Sequence, residues 1–207
     1  SFLRSMNHWD QRYGDNVTVY GEKPNVFFAS QLALRKGGSL CLPCDGEGRN
    51  AVYAAEQGWD VTSFDVSPVG VQKSKALAIS RGVDIQVEVA DVFDFVPASQ
   101  FDVVALVFAH MPPELRPNFH ARAWQWVKPG GCMIVEGFHQ DQLELSSGGP
   151  KRMDMLFHET TFHEDVADAF DDAIVTWHAR CAQILDEGPF HQGPAVTCQA
   201  VIQKDAS

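Results

Sequence analysis

The sequence predicts an α/β domain of the doubly wound kind: seven strands, the first five alternating with helices packed on both faces of a mostly parallel sheet, the last two an antiparallel hairpin. Three observations predict it. Short apolar runs alternate with helix-like stretches from residue 39 to residue 138. The helix-like stretches close on glycine, the residue that most readily takes the left-handed turn after a last helical residue. The final part of the chain drops the alternation for two long β-prone runs around a glycine- and proline-bearing loop.

The strand candidates are SLCLP (39–43), DVTSFD (60–65), IQVEVA (85–90), FDVVALVF (101–108) and CMIVEGF (132–138). Between them lie RNAVYAAEQ, closed by Gly58, PVGVQKSKALAISR, closed by Gly82, and PELRPNFHARAWQWV, followed by Lys128, Pro129 and Gly130. Then AIVTWHARCAQILD (173–186) and AVTCQAVIQK (195–204) flank EGPFHQGP as the hairpin. No repeat, linker or low-complexity tract divides the 207 residues, so one domain is expected, with residues 1–36 a helical cover and 37–207 the core.

Composition narrows the function. With 45% hydrophobic and 21% charged residues the chain is globular, and no apolar run approaches the ~20 residues of a membrane helix. A net charge of −11, with 16 scattered Lys and Arg, repels a phosphate backbone, so no nucleic-acid partner is expected. Five cysteines are too few and too odd a set for a disulfide scaffold, and they are read as reduced thiols. No charged-then-apolar leader opens the sequence, which gives a cytoplasmic address; a small-molecule substrate and a monomer or homodimer complete the expectation.

The stretch SLCLPCDGEGRN carries the first chemical signal. Cys41-Leu-Pro-Cys44 matches C-x-x-C, but a reactive pair places its first cysteine at a helix N-terminus and Cys41 falls inside a strand. Gly46 and Gly48, between strand end and helix start, let the backbone bend sharply and a ligand approach it. As a bare G-x-G-x-x-G pattern the stretch fails, with Cys44 at the first glycine position and Leu42 where an acid often stands two residues earlier. Downstream spacing decides: Asp65 ends the second strand, where a carboxylate accepts the two hydroxyls of an adenosine ribose or simply caps the next helix beside Ser67. Asp91 ends the third strand, where its carboxylate and the next amide can read an adenine edge.

The order GEGRN, FDVS, ADVFDF, FDVVALVFAHMP and VKPGGCMIVEGF, followed by the hairpin, resembles class I S-adenosylmethionine-dependent methyltransferases over nearly the whole chain. GEGRNAVYAAEQGWDVTSFDVS and EGFHQDQL…GGP resemble the small bacterial branch related to tellurite-resistance methyltransferases, with thiopurine-type enzymes more distant. The resemblance implies a Rossmann-like sheet, S-adenosyl-L-methionine as cofactor and S-adenosyl-L-homocysteine as product. It implies that Asp45, Gly46, Glu47 and Gly48 face the methionine part, that Asp65 with Val66 and Ser67 holds the ribose, and that Asp91 with Val92 holds the adenine. Phe108, at the end of the fourth strand, joins the same implied set.

Arg49 and Asn50 open the helix after the glycines. There the guanidinium meets either the cofactor carboxylate or a loop acid such as Glu47. Phe2, Trp9, Tyr13 and Tyr20 precede the first strand. They either cover a sulfonium by cation–π attraction, roughly 0.5–2 kcal/mol each, or dock the N-terminal helix.

Methyl transfer from a sulfonium asks mainly for in-line placement and exclusion of water; a base is needed only where the acceptor holds a proton. His110 in VFAHMP and His139 in EGFHQDQL are the candidates, against plain roles as a strand cap and a solvated loop residue. Tyr20, Met111, Phe138 and Gln142 are the expected substrate-pocket residues, and SSGGPKRMDMLF (146–157) an expected pocket wall or ordinary connection. No metal is expected: in FHETTFHED the histidines His158 and His163 are five apart rather than four, and Thr161 with Glu164 reads as a capping box. Two other readings share these residues. A nicotinamide-dependent oxidoreductase would also use Asp65, though the hairpin and broken glycine pattern disfavour it, and a non-catalytic sensor would keep the cofactor residues without turnover.

Overall fold

A computed structural model describes residues 2–14 and 18–206; of residues 2–5 it describes the backbone alone. Phe2, one of the expected covering aromatics, therefore has its side chain outside the described residues. The sheet has seven strands in the order β3-β2-β1-β4-β5-β7-β6. They are β1 (Ser39–Pro43), β2 (Asp60–Asp65), β3 (Gln86–Val89), β4 (Phe101–Val107), β5 (Val127–Phe138), β6 (Ala173–Asp186) and β7 (Gln192–Lys204). The helices are α1 (Phe2–Tyr13), α2 (Val26–Ala33), α3 (Arg49–Glu56), α4 (Pro68–Arg81) and α5 (Arg116–Gln125). Residues group into two compact units, residues 1–96 with 187–190 and residues 97–186 with 191–207.

In unit one, β1 pairs parallel with β2 and β2 with β3, so the chain end of each strand delivers its loop to the same edge. The local chemistry sets the helices between them. Ser67 caps α4 by accepting the Gly70 amide at 3.0 Å, Pro68 pre-sets the first turn, and Gly82 ends the helix at φ 66°. Helix α3 starts on Gly48 at φ 85°, in the left-handed region that an L side chain enters only under strain. Phe28 and Phe64 are fully buried here, each worth roughly 2–3 kcal/mol of hydrophobic burial.

In unit two, β4 pairs parallel with β5, β5 antiparallel with β7, and β7 with β6, which confirms the terminal hairpin. Two sequence boundaries shift. The helix expected from residue 113 begins at Arg116, because Pro117 lacks an N–H and fits only the first turn. Its expected stop at Lys128–Gly130 lies inside β5: Val127 already pairs with Phe101, the pairing resumes at Cys132 with Val103, and the intervening residues loop out. Gly131 permits this, since a Cβ there would stand 2.7 Å from the Asp102 carbonyl oxygen. Around Thr161 a helical turn forms as expected, but without the capping box. The Thr161 hydroxyl accepts the His158 amide at 3.0 Å, and Glu164 is taken instead by the Thr160 hydroxyl. A π-helical stretch, His163–Ala167, follows, and Trp124, Phe119, Phe138, Phe157 and Phe162 fill the core. Among the described residues no helix is long and apolar enough to cross a membrane.

Candidate functional site

The loop after β1 is built from backbone strain and two carboxylates. Cys44, Gly46 and Gly48 all have positive φ (57°, 57° and 85°), a tight reversal that delivers the chain into α3. Cys44 is the strained member, a side-chain residue where glycine is the easy choice. The Gly46 amide donates to Asp65 Oδ2 at 2.9 Å and the Ser67 amide to Asp65 Oδ1 at 2.9 Å. Asp65 thus ties the glycine loop to the start of α4. Burial pushes its carboxyl up to about 6, against the pull of these amides. Asp45 Oδ2 accepts the Ala51 amide at 3.2 Å, within the first turn of α3, while its buried Oδ1 has no hydrogen-bond partner. Burial raises Asp45 to about 7.

The flanking charges depart from the expected Arg49–Glu47 pair. Arg49 pairs with Glu187 at 2.6 Å, both buried, and not with Glu47. Glu47 takes Lys73 at 2.9 Å on one oxygen and the Val19 amide at 2.7 Å on the other. Asn50 Oδ1 accepts the Asn25 amide at 2.9 Å, and the Asn25 side chain donates to Glu187 at 3.0 Å. Glu187 is the residue that sequence reasoning missed: 138 residues separate it from Arg49, and it sits in a stretch legible only as a hairpin loop.

At the end of β3, Asp91 Oδ1 accepts the Phe93 amide at 2.9 Å, and the Asp91 carbonyl accepts the amides of Asp94 and Phe95. Val92 is buried and Phe95 stacks on Phe64 at 4.0 Å. Asp91, Asp94 and Phe95 line a cleft of about 430 Å³ together with Glu88, Val89 and Val96. Val66 is half-buried between Asp65 and Ser67.

Helix α1 lies against this loop. Asp10 accepts the Ser67 hydroxyl and the Val69 amide, the latter at 3.3 Å. Trp9 stacks on Tyr13 at 5.6 Å, and Tyr13 is only 3% exposed. Gly46 leaves room for it: a Cβ there would sit 2.5 Å from the Tyr13 hydroxyl, and one on Gly70 would sit 3.1 Å from the tyrosine ring. Burial and the nearby Asp65 hold the Tyr13 hydroxyl well above the usual phenol range. Tyr20 meets Tyr13 edge-on at 6.5 Å and receives a hydrogen bond from Arg12 at 3.0 Å.

In unit two the candidates after β4 and β5 converge on one aromatic cluster. Phe108, at φ 53°, stacks on Phe138 at 4.6 Å and meets His191 edge-on at 4.5 Å. A bulky residue in that backbone region is strained, and the short bond from its amide to the Glu136 carbonyl, 2.7 Å, holds it there. His110 lies among these rings with both nitrogens used. Nδ1 bonds the Met155 carbonyl at 2.8 Å and must carry the proton, while Nε2 accepts the Phe138 amide at 2.9 Å. Burial lowers it to about 4, so it is neutral at pH 7.

His139 is buried beside acids rather than solvated. Its Nδ1 accepts the Asp141 amide at 3.1 Å and Nε2 lies 3.2 Å from Glu159. Gln142 is buried with its amide spent on Ser147, Gly148 and the Val196 amide. Met111 is half-buried in the connection after β4. Sequence reasoning missed His120, whose Nδ1 bonds Asp165 at 2.7 Å while Arg116 pairs with the same carboxylate at 2.8 Å. Among the described residues no cluster of His, Cys, Asp or Glu could hold a metal ion. Cys41 is buried, its thiol pushed up by desolvation, far from a reactive thiolate.

Known proteins give the frame for these clusters. Residues 43–131, from the glycine loop through β5's first turn, match a methyltransferase-domain family. No curated protein matches the chain in sequence. Among solved structures, one titled for conversion of a disulfide bond into a thioacetal group during echinomycin biosynthesis is similar at TM-score 0.77 and 13% identity, covering 99% of this chain and 91% of that one. The N-methyltransferase NodS from Bradyrhizobium japonicum WM9, in complex with S-adenosyl-L-homocysteine, is similar at TM-score 0.70 and 14% identity, covering 97% and 98%. TehB from Haemophilus influenzae is similar at TM-score 0.70 and 14% identity, covering 97% and 67%. Two features suit such a cofactor, a buried carboxylate oxygen without a partner and acids at the ends of β2 and β3, while the space at Gly46 and Gly48 is taken by Tyr13 and Ser74. Residues 43–131 thus match a methyltransferase-domain family, and the fold of the whole chain is similar to that of these solved structures.

Proposed function

We propose that this chain is an S-adenosylmethionine-dependent methyltransferase acting on a small acceptor that is already nucleophilic near neutral pH, a thiol or a chalcogen oxyanion, and that it uses no histidine base. The observation that carries this is His110. Its Nε2 accepts a backbone amide and its Nδ1–H donates to a carbonyl, so it has neither a free lone pair nor a tautomer to spare. Taking up a proton would break the bond from the Phe138 amide inside an aromatic cluster. At His139 the Asp141 amide occupies Nδ1, while Nε2 makes no hydrogen bond and lies 3.2 Å from Glu159.

S-adenosylmethionine supplies a methyl group on a sulfonium with a neutral leaving group, so the protein's task is placement and dehydration. The loop from Cys44 to Gly48 presents its strained backbone, Asp65 orders that loop, and Asp91 shapes the cleft for the adenine. When a ribose diol binds, Asp65 exchanges or shares the amides of Gly46 and Ser67, both of which already face its oxygens. The packing of Tyr13 from α1 on the glycine loop supports a covering role for residues 1–36. The net charge of −11 disfavours polyanionic acceptors.

Transfer of a labelled methyl group to a panel of thiols, selenite, tellurite, primary amines and alcohols tests the acceptor class. The expected result is labelling of thiols or chalcogen oxyanions. Labelling confined to amines or alcohols would contradict a base-free acceptor. Tight cofactor binding with no transfer to any of them would favour the sensor reading.

A further inference from the structure

The glycine loop is closed from the side of α1. Tyr13 is 3% exposed and its hydroxyl occupies the space at Gly46, so a ligand reaches that backbone only after the end of α1 has moved away. Residues 187–190, the tip between β6 and β7, belong to unit one and pack on residues 18–25, which follow α1. Glu187 is buried and takes Arg49 at 2.6 Å and the Asn25 side chain at 3.0 Å. Gly188 and Gly21, at φ 84° and 68°, bring their backbones together: a Cβ on Gly188 would stand 2.4 Å from the Gly21 nitrogen. Contacts of this buried kind break only at high cost.

Phe190 makes contacts of another kind. Its ring is 47% exposed, meets Tyr20 edge-on at 6.5 Å and lies 4.9 Å from the Arg12 guanidinium, in the last turn of α1. Arg12 also donates to the Tyr20 hydroxyl at 3.0 Å, and Tyr20 meets Tyr13 edge-on at 6.5 Å. One half-exposed ring therefore touches both groups that flank Tyr13. Cation–π and edge contacts that face water are weak enough to open without unfolding the domain. Asp10 fastens α1 to the Ser67 hydroxyl and the Val69 amide, which leaves the last turn, with Arg12 and Tyr13, as the part that Phe190 controls.

We propose that Phe190 is the clasp of an access gate: while it holds Arg12 and Tyr20, Tyr13 stays over Gly46, and its release lets the last turn of α1 lift and S-adenosylmethionine reach the loop. Glu187 anchors the tip throughout. This rests on the methyltransferase reading of the loop. Phe190 controls entry of the cofactor and makes no contact with it.

Hydrogen exchange of the α1 amides in the ligand-free full chain reads the clasp, and stopped-flow association of S-adenosylhomocysteine reads the gate. Phe190→Ala is expected to speed exchange in the last turn of α1 about 3–10-fold, the size of a lost exposed cation–π and ring contact. The association rate is expected to rise by the same factor, because ligand enters in proportion to the open fraction. Phe190→Trp, with a stronger cation–π face, is expected to slow both, and exchange in α3 and α4 is expected to stay as in the wild type. Unchanged exchange in α1 on Phe190→Ala would overturn the clasp. Faster exchange with an unchanged association rate would overturn the gate and leave the methyltransferase reading intact. Faster exchange across α1, α3 and α4 alike would overturn the proposal as a general loosening of unit one. Failure of the wild type to bind S-adenosylhomocysteine would remove the reading on which the gate rests.

Discussion

Gly48→Ala is expected to cost about 3 kcal/mol or more of stability and to abolish cofactor binding. Two independent effects add. At φ 85° an alanine pays roughly 1–2 kcal/mol of left-handed strain. Its Cβ would also stand 2.0 Å from the Ser74 Oγ, 2.6 Å from its Cβ and 2.9 Å from its Cα, so that α3 and α4 must part, at roughly 1–3 kcal/mol. Urea unfolding gives the stability and a titration with S-adenosylhomocysteine gives the affinity. Adding Ser74→Gly to the same chain removes the two closest atoms but leaves the α4 backbone in the way and the left-handed strain in place, so a partial recovery is expected. A Gly48→Ala protein as stable as the wild type would mean that α3 and α4 do not meet at this point.

Glu187→Ala is expected to be nearly as costly, about 3–5 kcal/mol, because it strands the buried Arg49 charge and removes the acceptor of the Asn25 amide. The expected cost comes from the orphaned charge more than from the lost bond. The double variant Arg49→Met with Glu187→Met should therefore be more stable than Glu187→Ala alone, since two apolar chains of similar volume remove both desolvation penalties. Thermal unfolding of the three variants reads this directly. A loss below about 1 kcal/mol for the single variant would place the pair in water, where exposed ion pairs contribute little.

The parts of this molecule legible in the sequence are those set by neighbours in the chain. Ser67, Pro68 and Gly82 bound α4 with a cap, a fixed φ and a left-handed stop, and the structure puts the helix where these residues require. The terminal hairpin was legible from two β-prone runs around glycine and proline. The closeness of the glycine loop to the end of β2 was legible from the position of Asp65, although Cys44 and Leu42 break the glycine pattern.

What remained hidden depends on long-range packing. Arg49 pairs not with Glu47 but with Glu187, which arrives from a hairpin tip far along the chain. A lone histidine after a strand does not reveal that Met155 and Phe138 use both nitrogens of His110. The His120–Asp165–Arg116 cluster left no spacing signal, its members lying on α5 and a π-helical stretch more than forty residues on. The start of α5 was misjudged for a local reason, the preference of Pro117 for a first turn.

In the proposed site the loop 45–50 with Asp65 and Asp91 receives the adenosyl group. Amide NMR spectra recorded during titration with S-adenosylhomocysteine test it most directly, because the amides of Gly46, Ser67 and Phe93 donate to the Asp65 and Asp91 carboxylates and report any change at those oxygens. Saturable shifts at all three are predicted; saturable binding that leaves them unmoved while other amides shift would contradict the assignment.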